Sequence, residues 1–148
     1  MKRLKFKEIV AMLLILLFSY TASSKLIEHD RFVFQMKLSP LAPIRTFAPF
    51  LSWIVPIVEL GITAILTIEL FMNEHLLKKG LWASLILISL FEIYITAMLF
   101  SGKDLPCACG GIISLMSWKG HELFNGVTIL LIATALIDFK KIQAVKTE

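Results

Sequence analysis

Four long apolar runs leave this chain few folds to adopt. Residues 50–72 and 81–100 are almost unbroken stretches of Leu, Ile, Val, Phe and Ala. Each is close to the roughly 20 residues that a helix needs to cross the hydrocarbon core of a bilayer. Two shorter runs, at about 8–25 and 121–139, have the same character. Charged residues make up only 18% of the chain, below the roughly 25% of a soluble domain, and they cluster between the runs. The expectation is an all-α protein, a four-helix transmembrane bundle forming one integral membrane domain over 1–148. Its lysines and arginines flank apolar runs instead of forming a patch, so a nucleic-acid partner is not expected, and the lipid bilayer is.

The connections are less uniform. A basic start, Met1–Lys7, precedes the first run, and Ser-Tyr-Thr-Ala-Ser-Ser at 19–24 offers small residues of the kind found where a secretory signal is cleaved. The run is read as a retained first span, extended at its ends by snorkelling of Lys5, Lys7 and Lys25. Residues 26–49 are mixed. Asp30 is placed to cap a short helix reaching Leu38, although the alternation of Phe32, Phe34, Met36 and Leu38 also suits an extended strand. Either way the segment is apolar enough to lie on the bundle or at the interface, and Pro40, Pro43 and Pro49 argue against a regular element between them. His29 and His75 sit beside charges in connecting segments and carry no expected role.

Four spans put both termini on one side. Nine of the fifteen basic residues lie in the terminal segments and the 73–80 turn. Cytoplasmic loops carry the excess of Lys and Arg, so both termini are expected in the cytoplasm. The 26–49 connection and the 101–120 loop then face outward.

Polar residues recur on one face of three spans: Ser52, Pro56, Glu59, Thr63 and Thr67; Ser89, Glu92 and Thr96; His121, Asn125 and Thr128. In lipid, small and hydrogen-bonding residues turn toward neighbouring helices, so three such stripes point to a compact bundle. Glu59 and Glu92 fall at matching depth, roughly 12–14 Å below the same ends of their helices at 1.5 Å per residue. An ionisable group inside a span is a functional candidate by default. The two carboxylates are read either as proton-handling groups or as neutral acids tying helices together. Glu69, near the cytoplasmic end, is expected to be hydrated.

Both cysteines, Cys107 and Cys109, lie in the loop between the third and fourth spans. Pro106 precedes them and Gly110-Gly111 follows, allowing unusual backbone angles and close approach of another molecule. Ile112–Trp118 reads as a short amphipathic segment suited to the interface. A bridge between cysteines one residue apart closes a tight ring, and strain makes a disulfide more oxidising. Three readings stand together. The pair exchanges disulfides with an extracytoplasmic protein; or Cys107 and Cys109, with His121, hold a soft metal such as Cu(I); or the thiols are structural or inert. A bridge over so short a loop stabilises little by chain entropy. In the redox reading His121 lowers a thiol pKa by offering positive charge.

Pro-Leu-Ala-Pro before the second span, Ile-Val-Glu59-Leu-Gly within it, and Cys-Ala-Cys-Gly-Gly followed by Trp118, His121 and Asn125 together resemble the MauE/DoxX-like redox-associated membrane proteins. The resemblance covers nearly the whole chain, and the Cys-x-Cys-Gly-Gly, His, Asn run is its most specific part. It implies four-helix relatives of quinone-coupled disulfide-forming enzymes such as vitamin K epoxide reductase, and a role like that of MauE in maturing disulfide-rich methylamine dehydrogenase. It also implies a bacterial cytoplasmic membrane, thiol–disulfide chemistry at Cys107 and Cys109, His121 and Asn125 lining the site beneath, and a quinone as a possible cofactor. The quinone-coupled enzymes carry Cys-x-x-Cys plus a second, shuttle pair. This chain has two cysteines in all, so a complete electron path calls for a partner protein. The alternative is a non-enzymatic accessory subunit that docks on a larger membrane assembly through its two outer loops.

Overall fold

The computed structural model describes residues 5–72, 77–101 and 117–146, and among them every regular element is helical. Six helices follow in order: α1 (Phe6–Ile27), α2 (His29–Lys37), α3 (Ala42–Thr46), α4 (Ala48–Met72), α5 (Leu77–Phe100) and α6 (Trp118–Lys146). Four of them, α1, α4, α5 and the 119–137 part of α6, are long and apolar enough to cross a membrane. α1 packs mainly on α4 and α5 on α6, and the α4–α5 and α1–α6 contacts close the ring. Each span starts where its neighbour ends, so one end of the bundle gathers the C-termini of α1 and α5 with the N-termini of α4 and α6.

The core interlocks Leu14 and Phe18 of α1, Ile62 and Leu66 of α4, Leu81 and Ile88 of α5, and Ile132 and Ala135 of α6. Lipid is as apolar as these side chains, so the helices hold together by van der Waals fit and internal hydrogen bonds. The outward faces carry Leu16, Phe71, Leu90, Ile93 and Leu130, all well exposed. In water such a surface would be an association hazard; against acyl chains it needs no cover.

Helix boundaries depart from the apolar runs in an instructive way. α1 begins at Phe6, where the Glu8 carboxylate accepts the Lys5 backbone N–H at 3.0 Å. α6 continues past the end of the apolar run to Lys146, because Lys, Gln and Ala favour helix as well as leucine does. The 26–49 segment is helical, not extended. α2 starts after Glu28, not at an Asp30 cap, and turns Phe32, Gln35 and Met36 inward onto the start of α4. The prolines also proved compatible with helix. Pro43 stands in the first turn of α3 and Pro49 near the start of α4, where a missing N–H has no intrahelical partner to lose. The amphipathic segment expected at 112–118 lies mostly outside the described residues.

The polar stripes are only partly inter-helical. Thr63 and Thr67 donate to the carbonyls of Glu59 and Thr63 at 2.9 and 2.8 Å, and Thr128 donates to that of Phe124 at 2.8 Å. These hydroxyls satisfy themselves within their own helix, as Ser and Thr commonly do in spans. The cross-helix polar contacts come from fewer residues, chiefly the three buried or half-buried glutamates and Ser52.

Candidate functional site

A cavity of about 430 Å³ opens into the bundle at the end where α1 and α5 finish. Its wall is mostly apolar, with aromatic rings from Phe18, Phe32, Phe91, Tyr94 and Phe124. The volume lies within the range of small-molecule pockets, roughly 300–1,000 Å³. A few polar side chains interrupt the apolar lining: Thr21, Lys25, Glu59, His121 and Asn125.

Glu59 is 1% exposed. Its Oε1 accepts a hydrogen bond from Lys25 Nζ at 2.5 Å, and the pair ties α1 to α4 across the cavity floor. Lys25 was expected to snorkel to the membrane surface; instead it is 6% exposed and buried in this pair. Its ammonium also stands 5.2 Å from the Phe91 ring centroid and 5.9 Å from that of Phe32, within reach of their π faces. A buried ammonium is tolerated here because a carboxylate and two ring faces replace its lost hydration. Glu59 Oε2 has no hydrogen-bond partner, although it is fully buried. The nearby Thr21 hydroxyl acts on the carboxylate, but its oxygen also lies 3.3 Å from the Phe18 carbonyl as a donor.

The second membrane carboxylate, Glu92, is half-buried on α5. Its partner is the Asn125 side chain of α6, and its Oε2 is likewise without a partner. The two acids at matching depth each hold a different group, Lys25 for Glu59 and Asn125 for Glu92. Asn125 connects Glu92 to the cavity wall, and His121, 2% exposed, lies one turn earlier on α6 along the same wall. Of the remaining site residues, Trp118 is the first residue of α6, and its side chain lies outside the described structure. Cys107 and Cys109 lie outside the described residues, between Phe100 and Trp118 in the chain.

Two groups dismissed from the sequence have defined places. Glu69, expected to be hydrated, is 5% exposed and accepts the Gly80 backbone N–H at 3.2 Å. His29 lies on α2 with Nε2 3.1 Å from Ser52 Oγ and its ring 4.4 Å from that of Trp53. Asp30 stands 3.9 Å from His29 Nδ1, so acid, imidazole and hydroxyl follow the order of a hydrolytic triad. They do not form one. Ser52 is fully buried and its hydroxyl also donates to the Pro49 carbonyl at 2.8 Å. Its single proton is thus committed away from the imidazole, which donates to it. The contact is a tether between α2 and α4. Nothing local in the sequence marks it, since the partners are more than 20 residues apart.

Residues 3–138 match the family model described as methylamine utilisation protein MauE. No curated protein and no solved structure matches the chain.

Proposed function

The chain belongs to the MauE family, a multi-pass membrane protein with four candidate spans, and from this premise we propose that it is a thiol–disulfide redox protein acting on an extracytoplasmic partner. The observation that carries the reading is the placement of the few polar side chains in the cavity wall. Of these, His121 and Asn125 belong to the opening turns of the helix that directly follows the cysteine segment, and the preceding helix ends at Phe100 on the same side of the bundle. In the proposed exchange, a thiolate of the partner attacks the Cys107–Cys109 disulfide and forms a mixed disulfide. A second partner thiolate then displaces it. The partner gains a disulfide, and Cys107 and Cys109 leave as thiols with the two electrons and two protons. Their return to the disulfide requires a two-electron acceptor, either a second redox protein or a membrane quinone. A quinone ring fits the cavity residues, with aromatic walls at Phe91 and Tyr94 and the Lys25 ammonium as a donor.

The proposed setting is the bacterial cytoplasmic membrane, with both termini inside and the cysteine segment outside. A membrane-impermeant maleimide applied to intact spheroplasts tests both orientation and chemistry. Labelling of Cys107 and Cys109 should appear only after reduction. Equal labelling with and without reductant defeats the redox reading, and labelling only after lysis defeats the orientation. The accessory-subunit alternative predicts that a Cys107→Ser, Cys109→Ser double variant still supports its partner's maturation.

A further inference from the structure

We infer that the cavity beside Lys25 and Glu59 binds a lipid-soluble molecule bearing a hydroxyl group on an aromatic ring. Two independent observations lead there. The first is Oε2 of the wall residue Glu59, a buried acceptor with no hydrogen-bond partner, the nearby Thr21 hydroxyl being directed at the Phe18 carbonyl. A buried unsatisfied acceptor carries a desolvation cost that a ligand donor would relieve. A ketone, ether or hydrocarbon has no such donor, whereas a hydroxyl does. The second is the rest of the wall. Five aromatic side chains line a space otherwise bounded by aliphatic residues, which suits the offset and edge-on contacts of a ligand ring.

The route in is also indicated. Leu90 of α5 and Phe124 of α6 line the cavity and are also exposed on the outer faces of spans. Leu90 lies ten residues before the end of α5, about 15 Å along the helix from that end. The cavity therefore reaches the bundle surface in the apolar band, and a membrane-dissolved ligand enters from lipid. A hydroquinone belongs to this chemical class, but the inference concerns binding alone and does not depend on the cysteines.

The test uses the full-length protein in phosphatidylcholine nanodiscs, dialysed against radiolabelled para-hexylphenol with empty nanodiscs as the reference for simple partitioning. Saturable binding of about one phenol per chain is expected, and its methyl ether, which lacks the donor, should bind at least about tenfold more weakly. No saturable phenol binding, or equal affinity for phenol and ether, overturns the inference. Hexanol binding as tightly as the phenol overturns the aromatic assignment and points to a lipid hydroxyl as the occupant. Two variants guard against misfolding as an explanation. Val55→Phe narrows the cavity while keeping both charges and should weaken binding of both probes. The Lys25→Met, Glu59→Leu double variant removes both charges together and should bind phenol and ether alike; continued discrimination would refute the role of Glu59. The Cys107→Ser, Cys109→Ser protein should bind the phenol normally, which separates this inference from the thiol chemistry.

Discussion

Glu59 and Glu69 sit on the same helix, ten residues apart, and both are buried in the inter-helical seams, yet they do opposite things. Glu69 accepts a backbone N–H from Gly80 in a seam so tight that there is no room for a methyl group. A Cβ on Gly80 would lie 2.6 Å from Leu66 Cδ2 and 2.7 Å from Glu69 Oε2. Glu59 is a residue of the cavity wall, with one oxygen held by Lys25 and the other unpaired. One carboxylate closes a seam, and the other furnishes a cavity. Burial alone therefore does not distinguish a structural acid from a functional one; the space beside it and the pairing of its oxygens do.

The largest effect that would break this comparison is expected from Lys25→Ala, which leaves the Glu59 carboxylate buried without its counter-ion. A loss of about 3–5 kcal/mol is expected, read as a fall in the melting temperature of the protein in detergent. Removing both charges in Lys25→Met, Glu59→Leu should recover most of that loss, because a buried pair contributes little net stability once its desolvation is counted. A double variant as unstable as the single one would mean that the pair, not its desolvated remnant, holds α1 to α4.

Gly80→Ala comes next. The added methyl group must push Leu66 or Glu69 aside, and overpacking of this kind costs about 1–3 kcal/mol. Unfolding of the variant by titration with SDS should show it, while the lipid-facing Gly61, where a Cβ meets nothing within 4 Å, should accept alanine with no loss. A destabilised Gly61→Ala would show that α4 packs against something beyond this chain.

Ser52→Ala is smaller. It removes the acceptor of the His29 tether at a cost of about 1 kcal/mol, and limited proteolysis should then cut α2 more readily. Smallest of all is Glu69→Gln. The amide oxygen still accepts the Gly80 N–H, so thermal stability should change by less than about 1 kcal/mol. Glu59→Gln, which loses an ion pair, should cost more in the same assay. Equal costs would erase the distinction between the two acids.

The four spans were legible because a membrane helix needs only length and apolarity, and both are local. Their ends were less so. Hydropathy stops at about residue 139, but helix propensity does not, and α6 runs on to Lys146. Pro43 looked like a helix breaker because the argument from its missing N–H depends on position, and only the fold placed it in a first turn. The Glu59–Lys25 pairing was not legible. Both residues were visible as charges within or beside apolar runs, but 34 positions separate them, and periodicity within one helix says nothing about which face of another it meets. The same holds for Glu69 with Gly80 and for His29 with Ser52.

Sequence by itself determined that this chain is helical, that it has four apolar helices of membrane-crossing length, and which residues break their apolarity. Those are properties of single segments in contact with solvent or lipid. Tertiary structure alone decided which polar groups find each other, that Lys25 turns inward instead of snorkelling, and that one buried carboxylate oxygen of a cavity-wall residue is left unpaired. In lipid there is no hydrophobic force to choose the helix faces, so steric fit and polar pairing between distant segments choose them.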